Sequence, residues 1–252
     1  MKKLLLLLTL LAGAFGAAAA GRVIERETVC PVCGKAFYAE LELNASSDGA
    51  LRLDLRHGEE PPARLPDCPV CGFIVYQAGF RQAEAAAARA FVYGPDYRKA
   101  LKRGSYHRAG LLYARLGKPP FSTASQFLKA SWQEEADPAL EAENQALALR
   151  WYTEAIDKDT ERDEEWEKAN LLRGELLRRL GRFDEAADHF SAIKQDPAFR
   201  NKLLSQIIAY QRGLCAIKDG DPHFLSEIGS PVKKRNAWLR RLRARLSGMF
   251  DK

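Results

Sequence analysis

Two copies of one five-residue motif carry the clearest chemistry in this sequence. Cys-Pro-Val-Cys-Gly occurs at residues 30–34 (knuckle 1) and again at residues 68–72 (knuckle 2). Two cysteines three residues apart in a tight turn can direct both sulfurs at one ion, and the glycine that follows allows a positive φ, which turns backbone N–H groups toward the thiolates. Two knuckles supply four thiolates, the tetrahedral ligand set of structural zinc sites. We predict one Zn²⁺ per chain, bound by Cys30, Cys33, Cys68 and Cys71.

Two other uses of these cysteines stay open on the sequence: a pair of disulfides, or a thiol–disulfide redox motif. An oxidising compartment favours disulfides. A redox Cys-x-x-Cys motif usually opens a helix of a βαβ unit, however, and neither knuckle leads into a clear helical pattern. The duplicated motif, with glycine after each pair, favours a metal. An all-cysteine shell leaves no position for a reactive water, so the predicted zinc is structural rather than catalytic.

Strand-like patterns surround the knuckles. They cover residues 22–29, 36–43 and 51–56, and a turn signal lies at residues 46–49. We expect the second and third of these segments to pair as a hairpin between the knuckles. Residues 21–79 are thereby predicted to form a zinc-ribbon β module.

The remainder of the chain has a helical pattern. From about residue 79, apolar residues recur at spacings of three and four, interrupted by Gly-Pro and Asp-Pro breakers. The pattern predicts a mostly α-helical protein in which the helices follow a small N-terminal β module. The predicted helices are 80–92, 96–116, 122–136, 139–157, 161–180, 183–195, 199–218 and 232–250.

A repeat-like pattern runs through this helical half. Gly174 and Gly181 are followed by Phe183, Ala186 and Phe190, a spacing similar to that of a tetratricopeptide repeat, in which small residues let paired helices pack closely. A degenerate copy of the pattern includes Gly110, Tyr113, Gly117, Ala148, Tyr152 and Ala155. We predict a tetratricopeptide-like antiparallel array over residues 80–231; a helical bundle with packing glycines is the alternative.

The two ends of the chain have their own signals. Residues 1–20 contain two lysines, an apolar run and a row of alanines, which predicts a cleaved signal peptide and a periplasmic or extracellular protein; an uncleaved anchor is the alternative. Residues 232–252 predict a basic amphipathic helix. It either caps the helical array or makes peripheral contact with an anionic membrane, and we favour the cap.

Composition narrows the class of protein. The chain has 252 residues, 46% hydrophobic and 29% charged, which excludes a disordered, collagen-like or polytopic membrane protein. Without the two lysines of the leader the formal net charge falls from +6 to +4, which by itself is too small to indicate nucleic acid. Charge is segregated: residues 81–118 are strongly basic and residues 134–167 strongly acidic. These runs either pair with each other or form a surface for a charged partner.

The chain as a whole resembles the bacterial "domain of unknown function 2225" family. That family carries a CPxCG…CPxCG ribbon, an Asp-x-Arg element between the knuckles and a tetratricopeptide-like tail. Here the Asp-x-Arg element is Asp54-Leu55-Arg56, and the tail matches around residues 174–190. The resemblance implies the fold and the zinc, but neither the compartment nor an activity. The export leader departs from the typical member.

No catalytic constellation stands out, and we predict a protein that is not an enzyme. The histidines are scattered with no metal-ligand spacing, and Cys215 lies in an apolar helical stretch typical of a buried, inert thiol. The first hypothesis is an exported zinc-binding scaffold that presents its helical array to a protein or peptide. The others are a redox protein that uses one knuckle, and a cell-envelope factor held by the C-terminal helix.

Overall fold

A computed structural model describes residues 22–43, 49–159 and 161–232. This part of the chain is mostly helical, with a small antiparallel sheet at its N-terminal end. The strands are β1 (Arg22–Val29) and β2 (Ala36–Leu43). The α-helices are α1 (Gln82–Val92), α2 (Pro95–Lys99), α3 (Ser105–Arg115), α4 (Pro120–Gln133), α5 (Pro138–Lys158), α6 (Glu164–Arg179), α7 (Phe183–Ile193) and α8 (Lys202–Ala216). Short 3₁₀ helices lie at Ala100–Lys102, Pro197–Arg200 and Leu225–Glu227.

The hairpin forms around knuckle 1 rather than between the knuckles. Strand β1 pairs with β2 in a register that places Val29 opposite Ala36, so knuckle 1 is the loop of the hairpin. The predicted pairing of residues 36–43 with residues 51–56 is wrong. A strand can pair with either sequence neighbour, and the pattern of alternating residues does not say which one it meets. Residues 44–48, which hold most of the predicted turn, lie outside the described residues.

Residues 51–56 form no regular strand. Instead they make single bridges, Leu51 with His57 and Arg52 with Phe224. The N–H of Leu53 donates to the carbonyl of His223, and the N–H of Leu225 donates to that of Leu51, at 2.9 and 2.8 Å. This segment is therefore hydrogen-bonded to the last part of the described chain, more than 160 residues away in sequence.

The helix predicted over residues 96–116 is divided into α2, a 3₁₀ turn and α3. The break lies at Arg103 and Gly104, whose ψ angles of about 160° are extended. The carboxylate of Glu134 accepts the N–H of Gly104 at 2.7 Å and the guanidinium of Arg103 at 2.8 Å. Local periodicity did not reveal this break, because the group that stabilises it comes from the end of α4, thirty residues away.

The other helices agree with the sequence pattern, and their ends follow local signals. Asp137 and Asp163 cap α5 and α6 by accepting two backbone N–H groups each. Helices α3 and α6 end alike, at Gly117 and Gly181, both with positive φ. Successive helices from α3 to α8 pack on one another, and their short connections make neighbours antiparallel. Buried apolar residues between α4 and α8 form a continuous core.

The packing glycines predicted in the repeat pattern lie at close helix contacts. A Cβ at Gly174 on α6 would overlap the ring of Phe190 on α7. A Cβ at Gly110 on α3 would lie 2.7 Å from the ring of Phe127 on α4. Ala186 is fully buried in the same α6–α7 contact region. Two helix pairs thus share one device, in which an aromatic ring of the second helix fills the space beside a glycine of the first.

The structure does not describe the two ends of the chain, for which the sequence makes specific predictions. The signal peptide (1–20) and all but the first residue of the C-terminal helix (232–252) lie outside the described residues. The boundary between residues 79 and 80 stays a prediction. Over the ranges given above, no helix is both long and apolar enough to cross a bilayer.

Candidate metal centre

The structure brings the four predicted ligands into one cluster. The Sγ atoms of the four cysteines all lie within 4.8 Å of one another. Sulfurs from different knuckles are adjacent: Cys30 lies 3.6 Å from Cys71, and Cys33 lies 3.5 Å from Cys68. These separations are far longer than the ~2.05 Å of a disulfide bond, and all four cysteines are free thiols.

The two knuckles share one backbone geometry. In knuckle 1 the N–H of Gly34 donates to the carbonyl of Cys30, and the N–H of Cys30 donates to that of Lys35, both at 2.9 Å. In knuckle 2, Gly72 and Cys68 make the equivalent bonds at 2.8 and 2.9 Å. The φ angles of Gly34 and Gly72 are +74° and +73°, values that L-residues rarely adopt. The glycine after each Cys pair is therefore a backbone requirement of the turn.

Burial and hydrogen bonds together shift the pKa of three of these thiols, Cys30, Cys33 and Cys71. It raises the pKa of Cys30 to about 11, against N–H groups of Cys33 and Val32 that lower it. Burial also raises the pKa of Cys71. For Cys33 burial is again the largest influence and acts upward, but the N–H of Lys35 and the adjacent sulfurs bring its pKa below the usual value. A metal ion binds the thiolate form, so metal binding here releases protons.

The dimensions of the cluster are consistent with zinc. Four sulfurs at ~2.3 Å from a tetrahedral Zn²⁺ lie about 3.8 Å from one another, close to the two sulfur–sulfur distances above. Three of the cysteines are buried and Cys33 is half-buried, so protein surrounds the site. A bound ion would have four protein ligands and no open position for a substrate or water. Its chemistry would be to crosslink the two knuckles.

Knuckle 2 is fastened to the helices by residues that the sequence did not single out. The carbonyl of Gly72 accepts two hydrogen bonds, from the hydroxyl of Tyr97 at 2.9 Å and from Nη1 of Arg108 at 3.1 Å. Nη2 of Arg108 also contacts Asp67, directly before Cys68, at 3.0 Å. The side chain of Leu101 packs on Gly72 itself. Both flanks of knuckle 2 are therefore positioned by α2, the 3₁₀ turn and α3.

The Asp-x-Arg element lies in a buried ionic network away from the cysteines. Arg52 forms a two-pronged ion pair with Asp54, which also accepts the indole N–H of Trp132 at 3.0 Å. Arg52 and Arg56 share the carboxylate of Glu135 on the segment after α4, at 2.9 and 2.5 Å. Burial is the largest influence on the pKa of Glu135 and acts upward, but these two arginines together bring the pKa below its usual value. The element thus fastens the 51–56 segment to the helices.

A second group of charges borders this network. Arg179 on α6 pairs with Glu141 on α5 at 2.6 Å and lies 4.0 Å from Asp54. Burial, the largest influence, raises the pKa of Glu141 despite this arginine. The charges balance: three arginines face three carboxylates. Each buried arginine of the network has a carboxylate at ion-pair distance, which a buried charge requires. The network therefore has a structural role.

The remaining candidates behave as packing residues. Cys215 is buried on α8, and burial raises the pKa of its thiol to about 11. His107 is buried and its Nδ1 lies 2.7 Å from the side-chain oxygen of Asn144. His189 makes a bond of 2.8 Å to the carbonyl of Asn170. His223 lies between the carboxylates of Asp219 and Glu227. The sequence analysis did not predict this cluster.

Comparison with known proteins places the chain in a family. The model of the family described as "Uncharacterized protein conserved in bacteria (DUF2225)" matches residues 64–214, more than half of the chain. The match includes knuckle 2 and the helices through most of α8, and it begins after knuckle 1. The chain belongs to this family, as its motifs indicated. No curated protein and no solved structure matches the chain.

Proposed function

We propose that this protein is an exported, non-enzymatic scaffold that binds one structural zinc ion and uses its helices to bind a protein or peptide. The observation that carries the proposal is the closed four-sulfur cluster, whose ligands all come from the protein. A metal in such a shell stabilises a fold and has no free position for chemistry. Tyr97 and Arg108 donate hydrogen bonds to the carbonyl of Gly72, so a metal ion that fixes knuckle 2 would also stabilise the helices that carry these two residues.

The scaffold part of the proposal depends on a tetratricopeptide-like arrangement of the helices. The Gly110–Phe127 and Gly174–Phe190 contacts support it, because each joins the two helices of a pair in the same way. The matching glycine ends of α3 and α6 support it further. Arrays of helix pairs present extended concave surfaces to their partners. Binding is inferred here by analogy with such arrays, and export from the leader alone.

The metal is tested by elemental analysis of the purified mature chain. We expect about one zinc per chain. Cys33→Ser should lower the zinc content and loosen the β1–β2 hairpin, while the helical circular dichroism signal is largely kept. Cys215→Ser is the matched control, since that cysteine is buried outside the cluster, and it should keep its zinc. A purified protein without zinc and with two disulfides would overturn the proposal.

Export is tested by cell fractionation and mass spectrometry of the N-terminus. We expect a mature chain that begins near Gly21 and lies outside the cytoplasm. Recovery of the chain with Met1 in the membrane fraction would mean that the leader is an anchor. Recovery of the full chain in the cytoplasm would contradict export.

A further inference from the structure

A groove of about 750 Å³ runs between helices α5, α6 and α7. Its volume is within the range of sites that bind small molecules or short peptide segments. The floor is apolar, formed mainly by Leu149 and Leu177. The remaining lining residues are Ala146, Arg150, Thr153, Arg173, Arg182, Glu185, Asp188, His189 and Ala192.

The groove holds two arginines that the protein itself does not neutralise. Arg182 on its rim is held by Glu185 through two bonds, at 2.7 and 2.5 Å. Arg150 on α5 and Arg173 on α6 differ: within the described residues, neither has a carboxylate at ion-pair distance. The guanidinium of Arg150 instead lies over the ring of Trp151, 5.7 Å from its centroid. Two free cations therefore stand beside an apolar floor.

The opposite wall has a different character. Helix α7 contributes Asp188, and it contributes His189, whose pKa is lowered chiefly by burial, with Arg173 acting in the same direction. The pKa of Glu185 is lowered chiefly by its hydrogen bonds to Arg182, with Arg173 acting in the same direction. A ligand in the groove meets free positive charge on the α5–α6 wall and two carboxylates on the α7 wall, Asp188 and the Arg182-paired Glu185.

We propose that this groove binds an extended acidic peptide segment. The aspartate or glutamate side chains would pair with Arg150 and Arg173, and small apolar side chains would pack on Leu149 and Leu177. Arginine suits this task, because its planar guanidinium binds a carboxylate through two parallel bonds. Single-stranded nucleic acid fits less well: its bases stack on aromatic rings, and among the lining residues only His189 has one. The inference depends on the proposed scaffold function and names its partner.

The test uses the zinc-loaded mature chain and two labelled dodecapeptides, one alternating glutamate with alanine and the other alternating lysine with alanine. We expect fluorescence anisotropy to show binding of the glutamate peptide and much weaker binding of the lysine peptide. Arg150→Glu with Arg173→Glu should weaken the binding about tenfold or more. The matched control is Arg98→Glu with Arg212→Glu, which makes the same change of charge at exposed residues outside the groove and should keep most of the affinity.

A random dodecapeptide display library separates this inference from the scaffold proposal. Enrichment of acidic peptides that the Arg150/Arg173 double variant no longer binds supports both. Enrichment of peptides without acidic residues, whose binding is lost in Ala146→Trp, keeps the scaffold and overturns the acidic partner. Equal affinity of the double variant and the wild type for the glutamate peptide also overturns it. No enrichment, together with no binding of either dodecapeptide, contradicts the scaffold itself.

Discussion

The hydroxyl of Tyr97 donates a 2.9 Å hydrogen bond to the carbonyl oxygen of Gly72, the last residue of knuckle 2. Tyr97 is fully buried on α2, so a helix of the larger domain fixes the position of a turn that holds two of the four cysteines. Arg108 on α3 binds the same oxygen and is also buried. Its positive charge lies beside a site that, with four thiolates around Zn²⁺, would carry a net charge of −2.

Loss of Arg108 should therefore weaken zinc binding. Groups that orient metal ligands typically contribute about 10- to 100-fold in metal affinity, and Arg108 both orients knuckle 2 and offsets its charge. We expect a reduction of that size in Arg108→Met and a smaller one in Tyr97→Phe, measured by competition with a chromophoric chelator. Arg115→Met, an exposed arginine at the end of the same helix, is the control. Wild-type zinc affinity in folded Arg108→Met would show that the arginine serves only the helices.

Gly174 should not tolerate a side chain. Because the ring of Phe190 occupies the space of its Cβ, Gly174→Leu overpacks the α6–α7 contact and should lower the free energy of unfolding by about 1–3 kcal/mol. Glu164→Gln changes an exposed residue of the same helix and should stay within about 0.5 kcal/mol of the wild type. Thermal or urea denaturation measures both. Similar small effects in the two variants would mean that α6 and α7 are not packed closely at this glycine.

Glu134 should make the stability depend on acid pH. Burial is the largest influence on its pKa and acts upward, but Arg103, the N–H of Gly104 and Asn144 hold the pKa below 4.5, the ordinary value. The carboxylate therefore stabilises the fold above pH 4.5, and this contribution is lost as the pH falls through the lower pKa of the folded state. Glu134→Gln lacks the charge in both states and should lack this contribution at every pH.

The measurement is the difference in unfolding free energy between wild type and Glu134→Gln, by urea denaturation from pH 7 down to the acid limit of folding. The contribution of the metal site is common to both proteins and cancels in the difference. We expect the wild type to be more stable by about 1–3 kcal/mol at pH 7 and the gap to shrink below pH 4.5. A gap that is constant with pH would show that the charge of Glu134 has no role in stability.

Local signals in the sequence were enough for the cysteine cluster and for most helices. The repeated Cys-Pro-Val-Cys-Gly motif contains its own turn geometry, and Asp137, shortly before the pattern predicted over residues 139–157, caps α5. The glycine pattern placed Gly174 correctly at a helix contact, because a conformational and packing demand lies behind it. The turns and the helix cap depend on neighbours close in sequence, whereas the approach of the two knuckles was predicted from the duplicated motif, whose four cysteines make up one ligand set.

Features that depend on distant partners were missed. Val32 and Val70 occupy the same place in identical motifs, yet Val32 is 2% exposed and Val70 is 61% exposed, because the rest of the chain covers only one of them. The segment around Asp54 has a strand-like pattern, but its partners are Glu135, Trp132 and the carbonyl of His223. No rule of spacing connects such residues, so the structure was needed to find the ionic network.

Deleting the C-terminal segment, residues 232–252, tests whether it caps the helices or contacts a membrane. Val232, the last described residue, packs beside Gly213 on α8. If residues 232–252 cap the array, deleting them exposes apolar surface and the protein should aggregate during size-exclusion chromatography. We expect this result. A truncated protein that stays soluble with an unchanged melting temperature, while the intact chain binds anionic vesicles in a salt-sensitive way, would show that the segment is a membrane contact.

The bridge between Arg52 and Phe224 has a consequence for how the molecule comes apart. A linear stack of helix pairs frays from its ends, since each pair contacts only its neighbours. Here the segment before the helices, around Leu53, is hydrogen-bonded to the segment after them, around His223 and Leu225. Unfolding should then occur in one step rather than pair by pair. A force applied between these two segments would act first on the hydrogen bonds of Leu53 and Leu225. These bonds would have to break before the force reaches any helix.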